Sequence, residues 1–445
     1  MRPVFRRRRN CLLRRHALRA TIDDKRQGED RFRDGSPGRN LDQGGRALGH
    51  PQAPLQFECG IRVVGSNLPD ARQALNEIAD ALAGEAVGFV LIYASSRYQA
   101  DDVAAGLVER FPDIPFAGCT TSGEIGTLGI TEASIVVMAF PTSDFTIASA
   151  LLPDLDHFGV EEGTRVVRRV LASFPDLGEG PVIAPDEDDE SRDSLFALTL
   201  LDGLCKREEI VLATLQRALG DVPVIGGSAG DDLAFERTHI FHDGQAVTNA
   251  GVLLLIRTRH PVQLFKADNF EPTNLKFVVT ECDAERRIVK ELDAEVAALA
   301  YAEAMGIEAN GLTPMSFAAH PVLVRVGGEY YCRSIQKLNP DGSLQFFCAI
   351  ENGVVLTAGR ARDLAASLEE TLAGIEASLG GIDLVLGFDC VLRRLDAEHR
   401  QALRAMSDIY RRYRVFGFNT YGEQYKAMHL NQTFTGIAIG RSGAR

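Results

Sequence analysis

A glycine-rich turn occurs three times in this chain of 445 residues, and it limits the possible folds more than any other pattern in the sequence. The stretches "FAGCTTSGE" (116–124) and "VFGFNTYGE" (415–423) carry glycine, threonine, glycine and glutamate at matching places. Between them, "DVPVIGGSAGDD" (221–232) repeats the aspartate, proline and glycine of "DIPFAGCTTSGE" (113–124). A turn that recurs in this way indicates an internally repeated structural unit.

The same order of elements surrounds each turn. In the first unit, "AVGFVLIYASS" (86–96) predicts a buried strand, "ADDVAAGLVERF" (100–111) a helix, and "ASIVVMAF" (133–140) the strand that follows the turn. The second and third units repeat this order from residues 194 and 381. Three units of strand, helix, strand, glycine turn and strand predict an α/β fold, in which layered mixed sheets are flanked by helices.

The repeated order places the three turns at the carboxyl ends of equivalent strands, where open α/β sheets bind ligands. Glycine allows close backbone approach, and hydroxyl side chains and main-chain N–H groups can hold a polar ligand. The candidate ligand-binding residues are Cys119, Thr121, Ser122, Ser228, Asp231 and Thr420. The alternative is that the turns only connect tightly packed strands.

The stretch from about residue 257 to 380 has a different pattern. The sequence "VRVGGEYYCRSI" (324–335) predicts two strands joined by a Gly-Gly hairpin, and "NPDGS" (339–343) predicts a turn before another strand. We therefore expect an antiparallel meander here, and an α+β arrangement in the C-terminal half.

Composition excludes several classes of function. The formal net charge of −13 argues against a broad nucleic-acid-binding surface. The longest apolar runs, such as "GVLLLI" (251–256), are far shorter than the roughly 20 residues that span a bilayer. The eight cysteines form no C-x-x-C pair, which predicts reduced thiols and a cytoplasmic location.

Residues 1–55 are densely basic and then polar and glycine-rich. They have no apolar core of a secretory signal, so we expect a disordered extension. A start codon assigned too far upstream would explain such an extension. The alternative, based on the arginine run, is a nuclear or nucleic-acid-binding arm.

The sequence contains neither a phosphate-binding G-x-x-x-x-G-K-[ST] loop nor an H-E-x-x-H zinc motif. Ser228 lies in "GGSAG" (226–230), which departs from the G-x-S-x-G nucleophile motif. Cys119 is a candidate reactive thiolate, although a small core residue is the simpler interpretation. We expect no enzymatic activity, and a hydrolase or thiol enzyme centred on these residues remains the alternative.

Two histidines have surroundings that suit a haem ligand. His320 lies between a small apolar run and a buried strand, and His429 follows the third glycine turn. A neutral imidazole in an apolar pocket can bind haem iron and leave the opposite face open to a gas. A hydrogen-bonded core histidine is the alternative for each.

The motifs "GCTTSGEIG" (118–126), "GGSAGDD" (226–232) and "GFNTYGEQYKAMHLNQTFTGIAIG" (417–440) together resemble the FIST family, an α/β sensory module with N- and C-terminal parts. The resemblance runs from about residue 58 to residue 440, and it implies a FIST N-terminal domain at 56–256 and a FIST C-terminal domain at 257–440. The stretch "AAHPVLVRVGGEYYCRSI" (318–335) and its continuation to residue 356 are similar to the haem-binding, nitric-oxide-sensing branch.

This resemblance implies a cytosolic bacterial sensor in signal transduction, without catalysis of its own. It implies haem b bound through His320 or His429, with His320 favoured as the iron ligand, and nitric oxide as the signal. The implied partner is a sensor histidine kinase or a cyclic-di-GMP enzyme. The alternative within the family is a module that binds a small metabolite such as an amino acid, without haem.

Overall fold

A computed structural model describes residues 54–84, 86–177 and 193–441. These residues form two compact units: an insert of residues 270–361, and a main unit built from the described residues on both sides of it. The predicted basic extension lies outside the described residues up to position 53, and Leu55 already begins the first strand. The division at residue 256 into N- and C-terminal FIST domains stays a prediction.

The strands are numbered in chain order. Before the insert they are β1 (Leu55–Gln56), β2 (Arg62–Ser66), β3 (Val87–Ser95), β4 (Phe116–Thr121), β5 (Glu124–Gly126), β6 (Gly129–Thr131), β7 (Ile135–Pro141), β8 (Phe145–Leu152), β9 (Ser194–Leu201), β10 (Val224–Ser228), β11 (Ile240–His242), β12 (Gln245–Val247), β13 (Gly251–Thr258) and β14 (Val262–Ala267). In the insert they are β15 (Phe270–Asp283), β16 (Ile288–Leu292), β17 (Glu295–Val296), β18 (Val322–Val326), β19 (Glu329–Cys332), β20 (Ile335–Leu338), β21 (Leu344–Phe346) and β22 (Val355–Ala361). After the insert they are β23 (Ile382–Cys390), β24 (Val415–Thr420), β25 (Glu423–Tyr425), β26 (Met428–Leu430) and β27 (Phe434–Gly440).

The α-helices of the described residues are α1 (Ala71–Leu82), α2 (Ala100–Arg110), α3 (Val160–Leu171), α4 (Glu208–Leu219), α5 (Ala297–Met305), α6 (Pro314–Ala319), α7 (Leu364–Leu379), α8 (Val391–His399) and α9 (Leu403–Arg412). Short 3-10 turns occur at Leu155–His157, Pro175–Leu177 and Ala309–Gly311. None of these helices is both long and apolar enough to cross a membrane.

The main unit contains the three predicted repeats, each built around one central strand. The central strands β3, β9 and β23 pair in parallel with β4, β10 and β24, which lead into the glycine turns. On their other side they pair antiparallel with the returning strands β7, β13 and β27. The predicted α/β fold with repeated units is therefore confirmed.

The hairpin that follows each turn pairs with a strand of another repeat. Hairpin β5–β6 of the first repeat pairs with β24 of the third, and β25–β26 of the third pairs with β10 of the second. Hairpin β11–β12 of the second repeat pairs with β4 of the first, which closes the cycle. Each of the three sheets is thus completed by a strand from another repeat.

The first glycine of each turn motif explains the parallel pairing. A Cβ atom at Gly118, Gly226 or Gly417 would lie within about 2 Å of a main-chain carbonyl oxygen of the neighbouring central strand: 2.1 Å from Ile92, 1.9 Å from Thr199 and 1.7 Å from Gly387. No side chain fits this approach, so glycine is required at all three positions.

Alternation along the central strands divides the hydrophobic core into layers. Leu91, Leu198 and Leu386 point into one core shared by the three sheets. Their neighbours point the other way, so that Ile92 packs on α1 and α2. This two-sided burial is what continuous apolar strands require.

In the insert, strands pair antiparallel in the order β19-β18-β22-β15-β16-β21-β20, with β17 beside β16. The register Val326↔Glu329 shows that β18 and β19 form the predicted Gly-Gly hairpin. Gly327 and Gly328 have φ of 60° and 94°, a region that favours glycine. The predicted antiparallel meander and α+β character are confirmed.

Candidate functional site

The three glycine turns meet at the centre of the main unit. Three equivalent main-chain hydrogen bonds connect them: Ser122 N to Asn419 O (3.1 Å), Tyr421 N to Ser228 O (3.1 Å) and Gly230 N to Thr120 O (3.0 Å). Each turn therefore donates to one neighbour and accepts from the other. The three hydrogen bonds thus join the turns in a ring.

Two of the turns end in the same buried arrangement of a glutamate. In the third turn, Glu423 accepts hydrogen bonds from the Thr420 hydroxyl (2.5 Å) and from the Thr433 N–H and hydroxyl (3.0 and 2.7 Å). In the first turn, Glu124 accepts the same three bonds from Thr121 and Ser134. Burial raises the pKa of Glu124 to about 7 and that of Glu423 to about 8, although the hydrogen bonds oppose the shift.

The second turn departs from this arrangement and continues into a loop, residues 231–239. The Asp231 carboxylate accepts the N–H groups of residues 235, 236 and 237 at 2.9, 2.8 and 2.8 Å. Asp232, Leu233 and Phe235 have φ of 55°, 67° and 53°. Strained non-glycine residues of this kind concentrate at functional sites.

A cleft of about 170 Å³ opens where this loop leaves the ring. We call it the charged cleft, and it is lined by Arg97, Ser122, Glu132, Asp232, Leu233, Val391, Arg394 and Leu395. Its residues come from all three repeats: from the loops after β3 and β6, from the first two turns, and from helix α8. It therefore lies at the carboxyl ends of the parallel strands, where ligands of α/β folds bind.

Two arginines and two carboxylates set the electrostatics of the cleft. Arg394 is held firmly: its Nη1 donates to Ser122 O (2.6 Å), its Nε to Glu398 (2.9 Å) and its Nη2 to Glu132. Arg97 is held loosely, because its side chain is 61% exposed and lies 3.6 Å from Glu132 and 3.8 Å from Asp232. Arg97 is thus the cation that can exchange its partners for a bound anion.

Asp232 supplies the complementary charge at the loop. Burial raises the pKa of its carboxyl, and the nearby Arg97 and Arg394 guanidiniums oppose that shift. Its main-chain N–H donates to the Ser122 hydroxyl (3.2 Å), and its carboxylate accepts from Ser96 (3.3 Å). A ligand cation placed beside Asp232 and Glu132 would meet two carboxylates.

The structure separates the predicted ligand-binding residues by role. Ser122 lines the charged cleft, and Asp231 organises its loop. Thr121 and Thr420 bind the two buried glutamates, as described above. Cys119 and Ser228 have no exposed surface. Burial raises the pKa of Cys119 well above its usual value, which disfavours a reactive thiolate.

The charged cleft contains residues that the sequence did not single out: Arg97, Glu132, Asp232 and Arg394. Arg97 and Arg394 follow closely after the ends of the central strands β3 and β23. Charged residues just beyond buried strands were therefore the available signal. These residues come together only through contacts between repeats, so no single segment of the sequence predicts that they share a cleft.

A second opening of about 350 Å³ lies at the end of the second repeat, and it is lined by Asp156, Asp202, Leu204, Cys205, Glu236, Arg237, Thr238, Thr248 and Asn249. Asp202 in this repeat and Ser95 in the first repeat make equivalent main-chain hydrogen bonds. Leu204 and Arg97 each lie two residues further along, so they occupy equivalent positions. The loosely held arginine is thus replaced by an apolar side chain, so we assign the candidate site to the charged cleft.

The two predicted haem ligands lie in different units. His429, in the main unit, is 2% exposed, and a Cβ at Gly422 would lie 2.6 Å from its Nε2 and 2.0 Å from its Cε1. A ring packed this closely on backbone leaves no room for a porphyrin, so His429 does not fit the role. His320, in the insert, is half-buried at the end of α6, with Nδ1 3.2 Å from Ser316 O. This contact resembles the carbonyl contact that orients many metal-ligating imidazoles, so the surroundings of His320 fit the ligand role better than those of His429.

Within the described ranges, no group of three or more His, Cys, Asp or Glu side chains is placed to hold a metal ion. The seven cysteines described by the structure are free thiols, as predicted.

Comparison with known proteins finds two family domains in the chain. A FIST N domain matches residues 88–295, and a FIST C domain matches residues 297–426, so the two together cover well over half of the chain. An uncharacterised protein of Methanocaldococcus jannaschii is 24% identical over 218 residues, which is 48% of this chain and 40% of that relative. The chain thus matches less than half the length of this relative.

Proposed function

Because the chain belongs to the FIST family, whose domains indicate a sensory ligand-binding role, we propose that the charged cleft binds a small metabolite with both an anionic and a cationic group, such as an amino acid. The observation that carries this proposal is the pairing of the loosely held Arg97 with Glu132 and Asp232 across one cleft. A dipolar ligand replaces these weak ion pairs by two charge-assisted contacts.

The rest of the cleft supports the binding of such a ligand. Ser122 provides the hydroxyl among the lining residues, and its oxygen already accepts the Asp232 N–H. Leu233, Val391 and Leu395 provide an apolar wall for a short side chain. The strained loop gives a segment whose backbone can respond to a ligand.

Isothermal titration calorimetry against the twenty amino acids tests this proposal. We expect heat from at least one of them, and loss of about 10- to 100-fold in affinity for Arg97→Ala, the range of one charged hydrogen bond. Arg165→Ala is the matched control, because Arg165 is similarly exposed but pairs with Glu162 on α3. Absence of heat across the panel, or equal losses in both variants, would contradict the proposal.

The fixed imidazole of His320 favours a second candidate, a haem-based nitric oxide sensor that regulates a histidine kinase or a cyclic-di-GMP enzyme. His320 would bind the iron through Nε2, with Nδ1 donating to the Ser316 carbonyl oxygen. A bound haem would supply an open coordination position for a diatomic gas. In this candidate, the contact with the Ser316 carbonyl oxygen fixes the orientation and the tautomer of the His320 ring.

An absorption spectrum of protein produced with added haem separates the two candidates. The haem candidate predicts a Soret band that shifts with nitric oxide and disappears in His320→Ala. The control is His157→Ala, because His157 is exposed in the main unit. A missing Soret band, or an unchanged band in His320→Ala, would rule out this candidate.

A further inference from the structure

Helix α8 carries two adjacent arginines with different contacts. Arg394 lies at the charged cleft, and Arg393 lies beside Asn269, the last residue before the insert. Arg394 lines the cleft and donates to Ser122 O. Arg393, its neighbour in sequence, points into the main unit, where its side chain is 2% exposed. The two guanidiniums therefore lie on one rigid element but face different surroundings.

Arg393 is held in a buried polar cluster. Its Nε donates to Asp389 (2.6 Å), and the other oxygen of Asp389 accepts the Tyr410 hydroxyl (2.8 Å). Its Nη1 donates to the side-chain oxygen of Asn269 (3.0 Å). Asn269 is itself fully buried.

Asn269 is the residue at which the chain leaves the main unit for the insert. Its carbonyl oxygen accepts the N–H of Arg362, where the chain returns, at 2.7 Å. We call the points where the chain enters and leaves the insert, residues 269–270 and 361–362, the two chain crossings. Asn269 connects them through its carbonyl oxygen and contacts Arg393 of helix α8 through its side chain.

This cluster is not arranged for maximal stability. Nη2 of Arg393 and Nδ2 of Asn269 are buried, and neither has a hydrogen-bond partner among the described residues. Buried donors without partners reduce the net stabilisation that the cluster provides.

We propose that helix α8 transmits the occupancy of the charged cleft to the two chain crossings, and that Arg393 is the positioning residue in this coupling. A ligand that competes for Glu132 changes the hold on Arg394 and therefore the position of α8. The hydrogen bond between Arg393 and the Asn269 side chain then changes, and with it the hydrogen bond between Asn269 O and the Arg362 N–H. The occupant of the cleft is the ligand of the proposed function, on which this inference rests.

Hydrogen–deuterium exchange at the Arg362 amide tests the coupling without any ligand. Glu132→Gln removes the carboxylate that holds Arg394 at the cleft, and we expect the Arg362 amide to exchange about tenfold faster, equivalent to ~1.4 kcal/mol of local opening. In an Asn269→Ala background, the same Glu132→Gln change should add nothing. If Asn269→Ala unfolds the protein, Asn269→Leu serves, because it keeps the volume and removes the acceptor.

Arg400→Gln is the control, since it breaks the pair with Asp396 at the far end of the same helix and touches neither the cleft nor Asn269. It should leave exchange at Arg362 unchanged. An unchanged rate in Glu132→Gln, an additive effect in the Asn269→Ala background, or an equal effect of Arg400→Gln would each overturn the coupling. Calorimetry decides the proposed function separately, so the two failures are distinguishable.

Discussion

Tyr421 of the third glycine turn donates its hydroxyl hydrogen to the carboxylate of Asp231 in the second, 190 residues earlier in the chain. The same hydroxyl oxygen accepts the Leu233 N–H (2.9 Å), and the ring stacks on Phe235 with centroids 4.8 Å apart. One side chain of the third repeat therefore organises the loop that borders the charged cleft.

We expect Tyr421→Phe to lower the free energy of unfolding by ~1–3 kcal/mol, because Asp231 loses a buried hydrogen bond while the ring contact remains. It should also weaken ligand binding in the cleft, because the loop loses its anchor. Urea denaturation and calorimetry measure the two effects. Tyr413→Phe is the control: its hydroxyl bonds to Glu369 (2.9 Å), away from the loop. An equal loss of binding in both variants would contradict this role.

The buried Glu423 predicts that stability depends on pH. Burial raises its pKa from 4.5 in a free side chain to about 8, so the folded state holds the proton more tightly than the unfolded state. Its contribution is therefore complete below about pH 4.5 and is lost as the pH rises towards 8. Glu423→Gln should flatten this decline by on the order of a few kcal/mol, because glutamine is neutral throughout. Urea midpoints between pH 5 and 8.5 provide the measurement.

Gln at position 423 can keep the existing bonds, accepting from Thr433 and donating to Thr420, so the variant is expected to fold. The control is Glu161→Gln, a change at an exposed position in α3. Burial raises the pKa of Glu124 to about 7, so Glu124 causes a decline of its own that remains in Glu423→Gln. A decline of the full wild-type size in Glu423→Gln would contradict the role of Glu423.

The three glycines that begin the turn motifs should tolerate no side chain. We expect Gly118→Ala, Gly226→Ala and Gly417→Ala each to destabilise the protein by at least ~1–3 kcal/mol, since the added carbon overlaps a neighbouring carbonyl. Gly374→Ala, in helix α7 with open space around it, should instead raise stability by about 0.5–1 kcal/mol. Thermal unfolding compares the four variants. Neutral behaviour at any of the first three would contradict the close approach.

The exchange of hairpins predicts that the main unit folds only as a whole. A fragment of residues 54–259 lacks β24, which pairs with its hairpin β5–β6, and it lacks β25, which covers β10. We expect this fragment and residues 260–441 to be unstable alone and to form a 1:1 complex when produced together. Circular dichroism and size-exclusion chromatography test this. Cooperative unfolding of the N-terminal fragment by itself would contradict the prediction.

Some of the candidate site was accessible from sequence and some was not. Ser122 was predicted because hydroxyl and glycine residues at a strand end suit ligand binding, and it lines the cleft. Arg97 and Arg394 were missed, since each is an ordinary charged residue in its own segment. They line the same cleft only because the fold brings together residues that lie nearly three hundred positions apart in the chain.

The three repeats, the glycine turns and the parallel strands could be predicted from sequence, because they depend on local periodicity and on the conformational freedom of glycine. Which hairpin completes which sheet, and where the loop after Asp231 leaves the ring, is visible only in the folded molecule. Those pairings join segments that are far apart in the chain, and their choice depends on register and core packing between repeats. The charged cleft lies where that loop leaves the ring, and side chains of all three repeats line it.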